Sequence, residues 1–224
     1  MKIFGIAFRI HRSFWLLPLV LSAWTAHDEG LPNGIRMFIL ILLVFLCVLG
    51  HELSHSLVAM RLGIHVPVIT LYPMGGVASM SRIPRDPNQE FLITIVGPLF
   101  NFILAAILFY PMWRWLGRED FLNPSLSSWP RMLANVFWVN PVLGFFNLIP
   151  AFPMDGGRIL RSCLARFMSY ARATRFSVFL GCFFAILFLL LGLWKHYWML
   201  GMVGVYVFIS ASRELRVLKN DRTS

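Results

Sequence analysis

The sequence predicts an all-α polytopic membrane bundle of about six transmembrane helices, with a small β-sheet or hairpin at the cytoplasmic side. Three observations lead there. Hydrophobic residues make up 58% of the chain and charged residues only 13%, whereas a soluble domain carries about 25% charge. Apolar runs long enough to cross a bilayer recur along the chain, separated by short polar clusters. The Lys and Arg residues fall on alternate loops, the pattern that fixes orientation in a membrane. A net charge of +10 would also suit nucleic acid. The basic residues form no continuous face, however, so the expected partner is the lipid bilayer and no nucleic acid.

Taken in order, residues 1–12 read as a strand, from the β-branched and aromatic character of "KIFGIAFRI". Residues 13–62 hold the first two helices, at 13–26 and 37–62. The basic start resembles a signal peptide, but Trp24 and Leu21 occupy the −3 positions before Ala26 and Ala23. No cleavage signal results, and the first span is expected to stay. Residues 64–82 contain "GIHVPVITLYPMGGVASMSRIP", punctuated by Pro67, Pro73, Gly75 and Gly76. They read as a hairpin closed by a Gly-Gly turn. A third helix is expected at 91–113, bent at Gly97–Pro98. A fourth, at 132–152, is broken by Pro150 and Pro153 within a segment that runs to residue 157. Two more, at 176–194 and 197–212, complete the count. The whole of 1–224 is read as one integral membrane domain.

Six spans put both termini on one side. Fifteen Lys and Arg lie there: Lys2, Arg9, Arg12, Arg61, Arg82, Arg85, Arg158, Arg161, Arg166, Arg172, Arg175, Arg213, Arg216, Lys219 and Arg222. Five lie opposite: Arg36, Arg114, Arg118, Arg131 and Lys195. The excess marks the cytoplasmic side, so the chain is expected to be a multi-pass protein of the cell membrane with both termini cytoplasmic. Cys47, Cys163 and Cys182 show no paired spacing and read as buried thiols.

The second helix contains "HELSH". His51 and His55 are four residues apart, which puts them about 40° apart around a helix and one turn along it. Both imidazoles can reach one metal ion. Glu52 is rotated by about 100° and can take a proton from a water that such a metal activates without itself being a ligand. An ionisable group at the centre of a lipid-embedded helix costs about 2.5 kcal/mol or more, so the pattern points to chemistry rather than chance. Zinc is the metal such a site takes.

A third protein ligand is needed. Asp155, in "NLIPAFPMDGGR", lies at the inner end of an apolar span and at comparable depth on the expected topology. Gly156 and Gly157 are expected to let the backbone turn there. Asp155 would also suit the start of the helix that follows, where a carboxylate is favourable. Cys47, one turn before His51, is a rival ligand or an apolar filler. His11, His27 and His196 sit at span ends and need no special role; His65, just after the second helix, is close enough to the pattern to notice but reads as structural.

The blocks "FGIAFRIHRSF", "LGHELSHSLVA", "LYPMGGVA", "VGPLFNFILA" and "FFNLIPAFPMDGGR" resemble the site-2 protease family, intramembrane zinc metalloproteases. The resemblance runs from the N-terminus to about Arg161. It implies one zinc ion held by His51, His55 and Asp155, with Glu52 as general base. It implies that Asn147 assists near the metal by donating to a developing oxyanion, and that the hairpin holds an unwound substrate by edge pairing. It implies a single-span, membrane-anchored regulatory protein as substrate and an active-site opening toward the cytoplasm. Neither an inserted PDZ-like domain nor a C-terminal pair of nucleotide-sensing CBS modules is expected, so regulation would fall to a separate protein. Two other functions fit parts of the pattern. A metal-ion transporter would want further ligands along a path, and the third, fifth and sixth spans offer no mid-span acid or histidine. A non-catalytic scaffold binding membrane helices would have no use for Glu52.

Overall fold

The computed structural model describes residues 2–82, 84–195 and 197–220; His196 and Arg222 lie outside these. It is mostly helical, with seven α-helices and one four-stranded sheet among the described residues. The chain divides into two compact units, Met1–Arg82 with Val96–Gly144, and Ile83–Ile95 with Phe145–Ser224.

In the first unit, β1 (Lys2–Ile3) and β2 (Ile6–Ile10) form a tight antiparallel pair, turning through Phe4 and Gly5 at positive φ. A short 3-10 turn, Arg12–Trp15, leads into α1 (Leu16–Glu29) and α2 (Leu31–Arg61). This helix pair is the crossover that returns the chain for β3 (Val68–Tyr72) to lie parallel to β2. Gly34 lets the two helices approach closely: a Cβ there would stand 2.8 Å from the Ser22 carbonyl oxygen. Phe14, Ile41, Phe45 and Leu71 form the core that joins helices to sheet.

The last strand, β4 (Gly75–Ser79), pairs antiparallel with β3 and ends the order β1-β2-β3-β4. Here the structure departs from the expected Gly-Gly turn. Gly75 and Gly76 are already in β4, opposite Tyr72 and Leu71, so the chain turns at Pro73–Met74. Gly75 has φ +132°, which only glycine adopts easily.

The third helix, α3 (Pro87–Leu122), runs through Pro98 and Pro111. Its backbone leaves helical geometry at Gly117, φ +79°. Beyond that point Phe121 packs into an aromatic cluster with Phe109, Trp113, Phe137 and Trp138. The Trp138 indole N–H donates to the Phe121 carbonyl oxygen at 2.9 Å. The fourth helix, α4 (Trp129–Asn147), ends five residues before the boundary the apolar run suggested.

In the second unit, α3 begins on Asp86, whose Oδ1 accepts from the backbone N–H groups of Asn88 and Gln89 at 2.8 and 3.0 Å. The remaining helices are α5 (Asp155–Leu164), α6 (Tyr170–Trp194) and α7 (Trp198–Asn220). Glycines at 192 and 204 bring α6 and α7 together; a Cβ on Gly204 would meet the Ala185 carbonyl oxygen at 2.7 Å. Helix α7 outlasts its apolar stretch by two turns because helix propensity continues where lipid compatibility stops.

Among the described residues, three helices are long and apolar enough to cross a membrane: Leu31–Arg61, Pro87–Leu122 and Tyr170–Trp194. Helix α1, with 14 residues, rises about 21 Å against a hydrocarbon core of about 30 Å.

One buried ion network organises the second unit. Arg161 is 2% exposed and Glu90 1%. Arg161 donates from Nε to Glu90 Oε1 at 3.0 Å, again from Nη2 to the same oxygen, and from Nη1 to Glu214 Oε1. Its guanidinium lies over the Phe152 and Tyr170 rings. Burial alone would lower the Arg161 pKa, but the Glu90 charge and hydrogen bonds raise it above the ordinary arginine value. The network ties the start of α3 to α5 and α7. Arg161→Ala should destabilise the protein by about 3–5 kcal/mol, because it strands a buried carboxylate. Denaturant titration in mixed micelles checks this, and the double variant Arg161→Leu with Glu90→Leu should recover most of the loss.

Candidate metal centre

The site begins with the helical spacing of α2. His51 and His55 are 6% and 4% exposed, and their rings meet edge to face with centroids 4.7 Å apart. The Nε2 atoms stand 3.1 Å apart. Two nitrogens on one tetrahedral zinc, each at about 2.0–2.1 Å, stand about 3.3–3.4 Å apart, so the pair already has the edge a zinc site needs.

Helix α3 makes that geometry possible within the same unit. Gly97 faces both imidazoles: a Cβ there would collide with His55 Nε2 and would stand 2.7 Å from His51 Nε2. Any side chain at 97 would fill the space the two nitrogens share. One turn on, Asn101 is fully buried and its Oδ1 is 3.1 Å from His51 Nδ1. Ser54 Oγ donates to the Val96 carbonyl oxygen at 3.2 Å and to that of His51 at 2.7 Å. Gly50 abuts the Phe100 ring. Gly50, His51 and Ser54 of α2 thus dock on residues 96–101 of α3, and the imidazoles lie in that seam.

Glu52 is half-buried on the neighbouring face of α2 and lies beside β4. A Cβ on Gly76 would stand 2.6 Å from Glu52 Cγ. The second glycine of "MGGVA" therefore clears room for the glutamate side chain.

Asp155, in the second unit, opens α5 and is 8% exposed. The residue before it, Met154, is the N-cap and makes no side-chain capping bond. The expectation that Gly156 and Gly157 make a sharp turn is corrected: both are helical, and they are needed for close approach of backbone to backbone. A Cβ on Gly156 would collide with the Leu148 and Ile149 carbonyl oxygens, and one on Gly157 would stand 2.6 Å from the Phe152 nitrogen. His51 and His55, in the first unit, and Asp155, in the second, are each buried and each carry an atom able to ligate a metal ion. The donor set, two imidazoles and a carboxylate, suits zinc.

Cys47 is buried, with its sulfur 3.4 Å from the Asn140 amide nitrogen. It behaves as a small filler one turn from the pair. Asn147 is the last residue of α4. His11 accepts from the Ser13 backbone N–H at 3.2 Å, and His27 and His65 are exposed. The motifs alone do not single out Asn101 as a neighbour of the imidazoles, although a polar side chain within an apolar span is a signal for one.

The model of peptidase family M50 matches residues 37–115 and 123–190. A zinc metalloprotease of Methanocaldococcus jannaschii is 37% identical over 218 residues, covering 97% of this chain and 60% of that protein. Stage IV sporulation protein FB of Bacillus subtilis is 28% identical over 173 residues, covering 76% of this chain and 54% of its own length. This chain thus spans little more than half the length of these relatives. Among solved structures, the site-2 protease from Methanocaldococcus jannaschii superposes with a TM-score of 0.70 at 36% identity, covering 96% of this chain and 93% of that one.

Gly97→Ala should lower zinc retention by roughly tenfold to a hundredfold, the range that residues around metal ligands command. Elemental analysis after dialysis checks this, with helical content by circular dichroism as the control for folding.

Proposed function

The chain belongs to peptidase family M50, and from that premise we propose that it is an intramembrane zinc metalloprotease. It would hydrolyse a peptide bond within or near the transmembrane segment of a membrane-anchored regulatory protein. The observation that carries this reading is the pair of His51 and His55 Nε2 atoms 3.1 Å apart, on a helix apolar enough to cross a bilayer. Such groups are expensive in lipid unless they do chemistry.

On this reading His51, His55 and Asp155 hold one zinc ion per chain. Bound zinc supplies Lewis acidity, which makes water a nucleophile at neutral pH. Glu52 removes the proton of the attacking water at its carboxylate and can pass it to the leaving amine nitrogen. Asn147 donates from its side-chain amide to the oxyanion that develops on the scissile carbonyl.

A transmembrane helix shields its own peptide bonds, so the substrate must unwind before attack. Strand β4 ends the sheet order, and its far edge offers backbone groups to an extended segment. Gly76 puts that strand against the Glu52 side chain, so a paired segment would run beside the base. The reading extends to six spans, with both termini and the opening of the site on the cytoplasmic side. It rests there on the fifteen-to-five division of Lys and Arg.

Glu52→Gln should retain zinc while cleavage of a reconstituted single-span substrate falls by roughly 10²–10⁴, the usual contribution of a general base. Unchanged cleavage would remove Glu52 from that role. Asp155→Asn should lower zinc occupancy in the same preparation; full occupancy would leave Asp155 as a first-turn helix acid only.

A further inference from the structure

We propose that Asn101 is a positioning residue for the metal centre, holding His51 in the one neutral form that can ligate through Nε2. This rests on the reading of His51 as a ligand.

The geometry is one-sided. A carboxamide oxygen accepts hydrogen bonds and cannot donate them. Asn101 Oδ1 is 3.1 Å from His51 Nδ1, so Nδ1 carries the hydrogen of the imidazole. A neutral imidazole has only one, so Nε2 is the ring nitrogen that carries the lone pair. Nε2 is the nitrogen that faces His55 Nε2 at 3.1 Å.

The other end of the same amide supports this. Asn101 is 0% exposed, and its Nδ2 has no hydrogen-bond acceptor among the described residues. Turning the amide over would present a donor to Nδ1 and force the imidazole hydrogen onto Nε2, toward His55. The amide instead keeps its oxygen on His51 and leaves its own N–H groups unmatched. The oxygen is thus the amide atom that meets His51, while the N–H groups find no match among the described residues.

Gly97 lies one helical turn before Asn101. One face of α3 thus addresses both nitrogens of a single imidazole: Asn101 fixes the hydrogen on Nδ1, and Gly97 leaves space beside Nε2. Partners of this kind around metal-bound histidines set ring orientation and basicity.

The test uses the full chain in detergent micelles. Zinc affinity is measured by chelator competition for wild type, Asn101→Leu, Asn101→Asp and His51→Ala, and thermal midpoints are measured on the zinc-free proteins. Leucine has a similar branched shape and removes both the acceptor and the unmatched N–H groups. Asn101→Leu should therefore melt no lower than wild type when zinc-free, yet bind zinc roughly 10- to 100-fold more weakly. Asn101→Asp keeps an acceptor oxygen and should restore wild-type affinity. Wild-type affinity in Asn101→Leu, or equal losses in the leucine and aspartate variants, overturns the positioning role. Should the leucine variant not fold, weakened affinity in Asn101→Asp alone overturns it. If His51→Ala binds zinc as wild type does, the ligand assignment falls first and the Asn101 role with it; the two failures are distinguished by that variant.

Discussion

Two imidazole nitrogens held 3.1 Å apart inside an apolar helix form the constraint around which the first unit is arranged. Without a shared cation, such a pair has little to gain from burial. The spacing along α2 brings the rings onto one face, but spacing alone does not hold them there. The docking of α3 does. Gly97 admits the rings, Asn101 fastens one of them, and Ser54 bridges the two backbones at the same level. The seam is specified by what it leaves out as much as by what it contains.

The same device recurs wherever the chain approaches the proposed chemistry. Gly76 has no side chain where Glu52 lies, and Gly156 and Gly157 have none where α5 meets the backbone of residues 148–152. Each of these glycines is required by a neighbour rather than by its own dihedral angles. Polar groups in an apolar setting demand close and fixed partners, and bare backbone is what permits that proximity. The Arg161–Glu90–Glu214 network performs a different task in the second unit, joining three helix segments by charge in place of apolar packing.

Much of this was legible in the sequence. The 3.6-residue period put His51 and His55 together, as their Nε2 separation of 3.1 Å shows, and the scarcity of acids near span ends drew attention to Asp155, which is buried at the start of α5. The hairpin was readable from its β-branched residues. The misreadings share one cause. Gly75–Gly76 was taken as the turn, and Gly97 was read only as part of a bend, because in isolation glycine and proline are read through local backbone freedom. Gly97 and Gly76 are instead explained by side chains from α2, a helix distant in sequence, and no local pattern shows those neighbours. Helix ends slipped for a related reason: apolarity reports the part of a helix that suits lipid, whereas α3 and α7 continue past it.

The account as a whole depends on a zinc ion bound by two imidazoles and a carboxylate. X-ray absorption at the zinc edge of the metal-loaded protein tests that most directly. The expected first shell is nitrogen and oxygen at about 2.0–2.2 Å, with the multiple scattering of two imidazoles and no sulfur. A sulfur shell at about 2.3 Å would place Cys47 in the coordination sphere and contradict the site described here, as would a shell without imidazole scattering.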